Sequence, residues 1–109
     1  MDNIGVYVSA LQESLQKKLD VLLELLKLTK EQGAILKEKE PDMDRFDEII
    51  QEKAKLLDNM ETLDRGFDAL FAKAGDTLKN NKYEYQTQIT EMQNLIRSIT
   101  DTGVQIEGQ

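Results

Sequence analysis

Apolar residues fall at a helical rhythm along almost the whole chain. Ile4, Val8, Leu11, Leu15, Leu19, Leu22, Leu26, Thr29, Gly33 and Leu36 recur at alternating threes and fours. That spacing places them on one face of a single helix. Pro41 ends the pattern, because the residue before a proline avoids helical angles. A second stripe follows through Phe46, Ile49/Ile50, Lys53, Leu57, Met60, Leu63, Phe67, Leu70/Phe71, Ala74 and Leu78. A third runs through Tyr85, Ile89, Met92, Leu95/Ile96, Ile99, Gly103 and Ile106. No segment alternates apolar and polar with the period of two that a strand needs.

The chain is therefore predicted to be all-α: one domain over residues 1–109, an antiparallel up-down-up bundle of three helices, the first two long and the third shorter. The helices are placed at about 4–39, 42–79 and 82–105. Asp42, or Asp44 beyond it, is the expected N-cap of the second helix. That helix is run through Gly66 and Gly75 to a stop at Asn80-Asn81, where Asn tolerates a left-handed cap; a break at Gly75-Asp76 is the alternative. The expected core comprises Leu15, Leu19, Leu22 and Leu26 of the first helix, Phe46, Leu57, Met60, Leu63 and Phe67 of the second, and Ile89 and Met92 of the third. Lys53 interrupts the second stripe, either with its stem along the core and its ammonium in water or paired with an acidic partner.

The stretch Leu19–Leu28, LDVLLELLKL, carries more apolar surface than one helix contact uses. Leu19, Leu22, Leu23 and Leu26 continue the long stripe. Val21, Leu25 and Leu28 lie on a second face roughly 120° round, which Tyr7 begins and Ile35 extends. A helix packed on one neighbour needs a stripe about 100° wide, and this one is about twice that. One explanation is that the first helix touches two neighbours. The other follows from length: at about 1.5 Å per residue the third helix runs out near Leu25 or Leu28. The hairpin beyond it would then be uncovered, leaving a groove for a dimer partner or a client helix. On that reading Val21, Leu25, Leu28 and Ile35 are candidate client-binding residues.

Composition narrows the chemistry. The chain has 14 Lys/Arg against 21 Asp/Glu, a net charge of −7, and no His, Cys or Trp. No third of it is basic, so nucleic acid is not an expected partner. His- or Cys-based zinc sites, Ser-His catalysis and Cys nucleophiles are excluded. The isolated glycines form no phosphate-cradling loop. Asp42, Asp44, Asp47 and Glu48 lack the spacing and turn glycine of a calcium loop and are read as helix-start carboxylates. No catalytic residue, metal site or cofactor is expected. Charges break every apolar run well short of the roughly 20 residues a membrane span needs. MDNIGVYVSA has neither the basic nor the apolar region of a signal peptide, so a cytoplasmic location is expected.

The run PDMDRFDEIIQEKAKLLDNMETLD, Pro41 to Asp64, resembles the centre of the FlgN-type flagellar export chaperones. That family shows a Leu-rich first helix, a short turn around an acidic residue, and then D-x-x-x-L-x-x-L-x-x-x-K-x-x-L-x-x-x-L. Asp42, Phe46, Ile49, Lys53, Leu56/Leu57 and Met60 stand in those places. The resemblance covers about residues 8–75, and residues 83–107 look like the closing helix of short members. The FliT-type sister family carries nearly the same pattern. The resemblance implies a bacterial, cytoplasmic chaperone. It would hold a disordered, helix-forming end of a hook-associated protein and deliver it to the flagellar export apparatus. It also implies client contact through the C-terminal helix, which makes Ile96 and Ile99 candidates. A structural coiled-coil adaptor is the competing class; a weak homodimer fits the chaperone.

Overall fold

The computed structural model describes residues 4–109, of which 88% are helical, with no strand. The side chain of Ile4, first member of the first stripe, lies outside the described residues. Helix α1 spans Ile4–Leu36, α2 Met43–Asn80 and α3 Gln86–Glu107. The fold is an all-α three-helix bundle, drawn out to 62 × 20 × 15 Å.

Each helix end has a local cause. α1 stops at Leu36 rather than near Lys39, because no apolar residue follows to hold another turn. Its last carbonyls are met by tight bonds instead, Lys37 N–H to Ala34 O and Glu38 N–H to Ile35 O, both 3.1 Å. Asp42 is the N-cap of α2, its Oδ1 accepting from the backbone N–H of Arg45 at 3.1 Å. α2 runs unbroken through Gly66 and Gly75 to Asn80. The stop is not left-handed: Asn81 has φ −123°. Its side-chain amide donates to Thr77 O at 2.7 Å and its backbone N–H to Leu78 O at 3.2 Å. The side chain thus does the capping that a positive φ would otherwise do.

α1 lies between the other two. It packs along both α2 and α3, whereas no Cα of α2 comes within 8 Å of a Cα of α3. This arrangement explains the two apolar faces of LDVLLELLKL. In the half where all three helices meet, Val8, Leu11, Leu15, Ala74, Leu78 and Met92 are buried together, with Phe67, Ile89, Leu95 and Ile99 half-buried against them. Midway, Val21, Leu22 and Leu25 pack on Leu56, Met60 and Leu63 of α2 and on Ile99 and Ile106 of α3. Beyond Leu25 only two helices remain, where Leu28, Ile35 and Ile49 are buried with Phe46 and Leu56 against them.

Two readings of the stripes need correction. Leu57 is not core; it is 51% exposed. Leu56 takes the inward place, because the α2 side chains turned to α1 run Ile49, Lys53, Leu56, Met60, Leu63, Phe67, with Leu57 one position off that line. Leu19 is half-buried and Leu23 exposed, while Leu22 and Leu26 are buried. Lys53 is half-buried, and its ammonium donates to Gln32 Oε1 of α1 at 2.9 Å. The partner is an amide rather than a carboxylate, so the lysine stem covers apolar surface while its head ties the two helices.

The two-helix half has a polar clamp as well. Arg45 reaches from α2 to Glu31 of α1, Nε to Oε2 at 2.5 Å and Nη2 to Oε1 at 3.3 Å. The same guanidinium meets Glu48 and Glu52, each at 3.3 Å. Its hydrogen bonds hold the Glu31 carboxyl below the usual carboxylate range, and the carboxylates raise the guanidinium further above its ordinary value.

Candidate functional site: the groove between α2 and α3

Most apolar residues of α3 serve α1. Ile89, Met92, Leu95 and Ile99 follow one another at threes and fours toward it. The edge of α3 that faces α2 carries Gln86, Thr90, Gln93, Ile96 and Thr100 instead. The mostly polar side chains on that edge build no apolar seam with α2; no Cα of one helix comes within 8 Å of a Cα of the other, and a groove opens between them. Even the inward Thr102 turns its hydroxyl to Ser98 O of its own helix at 2.8 Å.

The groove has two clefts in line. One, of about 670 Å³, lies at the α2–α3 turn. Phe71, Gly75, Leu78 and Lys79 line it from α2, Lys82 and Tyr83 from the turn, and Gln86, Ile89, Thr90 and Gln93 from α3. The other, of about 450 Å³, lies further along, with Ser14, Leu15 and Lys18 of α1 beneath it. Leu63, Asp64, Phe67 and Asp68 form its α2 wall, and Ile96, Ile99 and Thr100 its α3 wall. Phe67 lines the second cleft and Phe71 the first, their rings stacked with centroids 6.0 Å apart and planes at 14°.

Gly75 makes the first cleft possible. It is buried, and a Cβ there would stand 2.9 Å from Phe71 Cε1. The missing side chain lets the Phe71 ring lie on the helix backbone while staying 42% exposed to the groove.

Charge divides along the groove. The turn end holds Lys79 and Lys82 and no carboxylate among its lining residues. Neither lysine has an ion pair within 4 Å among the described residues. The far end holds Asp64 and Asp68, with Lys18 Nζ 2.7 Å from Asp64 and no ion pair to Asp68 among the described residues. Between the ends the α3 wall carries only amide, hydroxyl and aliphatic groups. A surface of this kind holds a ligand by apolar contact and shape, not by a fixed set of directed hydrogen bonds.

The residues singled out from sequence divide sharply. Ile96 is 48% exposed on the groove wall and Ile99 is half-buried at its floor. Val21, Leu25, Leu28 and Ile35 are not on an open face: all four are buried, at 8%, 4%, 3% and 5% exposure, with α2 packed on them. The third helix begins at Gln86 rather than near residue 82 and runs to Glu107 rather than 105, its Ile106 lying on the Val21–Leu25 cluster. The second face of α1, however, points at α2 and not at the space α3 leaves. Sequence reasoning missed Phe71, Gly75 and Tyr83 as one site. Phe67, Phe71 and Gly75, each four residues apart, were the available signal, since a glycine one turn after an aromatic makes room for its ring.

Against known proteins, a family model described as FlgN protein matches residues 1–106. No curated protein and no solved structure gives a match.

Proposed function

The chain belongs to the FlgN family, a family of flagellar export chaperones, and from that membership we propose that its client is a helix-forming end of a hook-associated protein, held in the α2–α3 groove. The carrying observation is a pair of aligned clefts between α2 and α3, flanked by the exposed Phe71 and Ile96 and floored at the second by Leu15 of α1, left open because no Cα of one wall comes within 8 Å of a Cα of the other. A disordered client segment that folds into a helix there buries its apolar face and is kept from other contacts. The export apparatus then receives it from a cytoplasmic carrier. No helix among the described residues is long and apolar enough to cross a membrane, which suits that location. Val21, Leu25, Leu28 and Ile35 take part only if α1 and α2 separate, so Ile96 and Ile99 are the client residues of the closed bundle.

The test is direct titration of purified hook-associated protein ends into Ile96→Asp and Phe71→Asp. Both side chains are exposed, so melting temperatures should stay near that of the parent. Affinity should fall tenfold to a hundredfold, the scale of losing a buried apolar anchor. Full-strength binding by both variants would place the client elsewhere.

A further inference from the structure

The distribution of charge along the groove carries a direction as well as a place. Resting on the reading of the groove as client site, we propose that a docked amphipathic helix lies parallel to α2. Its C-terminal end is at Lys79 and Lys82, and its N-terminal end at Asp64 and Asp68.

Three observations carry this. First, the occupant is a helix of about four turns. From Asp64 to Lys79 the α2 wall runs about 22 Å at 1.5 Å per residue, and the α3 wall from Gln86 to Thr100 runs about 21 Å. Second, the walls themselves are neutral as to direction. α2 and α3 run opposite ways, so an added helix is parallel to one and antiparallel to the other whichever way it lies. Their backbone dipoles cancel as a guide.

Third, side-chain charge breaks the tie. A helix presents unsatisfied carbonyls and partial negative charge at its C-terminal end, and unsatisfied N–H groups and partial positive charge at the other. Two lysines without ion-pair partners among the described residues stand at the turn end of the groove, with no carboxylate among its lining residues. At the far end Lys18 engages Asp64, but Asp68 is left to receive N–H groups. The groove therefore complements the backbone of a helix and not a particular sequence. A carrier with more than one client needs a feature of that kind: orientation is read from what every helix has, while the apolar floor tolerates different side chains. A free terminal carboxylate at the lysine end would add to the same effect.

The experiment uses a synthetic peptide of about fifteen residues, Leu and Ile on one face and Gln elsewhere, capped at both ends. With no charged side chain, only its backbone dipole is read. A nitroxide is placed at one end or the other, and amide line broadening is followed on the full-length chain. The C-terminal label should broaden Leu78, Lys82 and Tyr83, and the N-terminal label Leu63 and Phe67. The reverse pattern would overturn the orientation and leave the groove as client site. Broadening that spares both sets would sink the groove reading itself. In a second arm, Lys79→Gln/Lys82→Gln should weaken the capped peptide roughly threefold to tenfold with no change in melting temperature. Freeing the peptide's C-terminal carboxylate should tighten binding to the parent by a similar factor and leave the double variant unmoved. Equal affinity for capped and free peptide in the parent chain would overturn the assignment of the lysines.

Discussion

The two halves of this bundle are built from the same first helix and held together differently. Where three helices meet, Val8, Leu11 and Leu15 of α1 are enclosed by α2 on one side and α3 on the other, and apolar contact does most of the holding. Where only two remain, Leu28, Ile35 and Ile49 make a smaller core. Polar ties cross both halves, Gln12 to Glu91 and Lys18 to Asp64 in the first, Arg45 to Glu31 and Lys53 to Gln32 in the second, but in the second they supplement a smaller core. A pair of helices alone cannot surround its apolar residues, so long charged side chains lie across the seam and shield it. The half with the larger core is also the half with the open groove. A third helix adds burial against α1 and at the same time creates a second wall.

The strongest way to break this contrast is to place a charge in each core. Leu22→Asp, Leu25→Asp and Leu28→Asp should all melt early, each losing several kcal/mol to an unpaired buried charge. A Leu28→Asp chain that melts normally would show that the two-helix half does not depend on its apolar contacts. A gentler cut separates the halves. Ile49→Ala, at a site 0% exposed, should cost about 2–4 kcal/mol. Hydrogen exchange should quicken first in residues 28–56 while α3 keeps its protection; uniform loss of protection would mean the halves open as one unit.

Smaller again is the clamp. Arg45→Gln should lower the melting temperature modestly at neutral pH. The Glu31 carboxyl is held below its ordinary value of 4.5. Its contribution is therefore present above that value and lost as pH falls through the lowered one. The gap between parent and variant should shrink on acidification below about 4.5; a gap independent of pH would remove Glu31 from the clamp. The smallest effect on stability is expected of Gly75→Ala. Better helix propensity, worth up to about 1 kcal/mol, is set against a Cβ that must displace the Phe71 ring. Melting should move little while client affinity falls, because the displaced ring narrows the cleft. Unchanged affinity would release Gly75 from any role in the groove.

Helix number, order and approximate length were legible because apolar period is a local property of the sequence. Whether Leu25 and Leu28 face a neighbour or a void is not local. It depends on which helix takes the middle place, and periodicity is the same for a central helix as for one with a spare face. The register of α2 was blurred for a similar reason: Leu56 and Leu57 are adjacent apolar residues, and only the position of α1 decides which turns inward. The groove was legible in part. Ile96 and Ile99 came from the family resemblance, while Phe71, Tyr83, Lys79 and Lys82 are brought to one place only when the chain turns at 81–85.

The central place of α1 gives the molecule the connectivity of an open path, α2 to α1 to α3, instead of a closed triangle. The turn after α2 then works mainly as a tether. It holds α3 near its seat on α1 at an effective concentration in roughly the millimolar range, without building a backbone contact between α2 and α3. A nick beside Tyr83, whose side chain is 96% exposed, would turn that intramolecular docking into an ordinary bimolecular one. The α1–α2 hairpin and the α3 fragment would dissociate on dilution and reassemble on concentration. In that sense α3 is the first ligand of the hairpin, carried on the same chain.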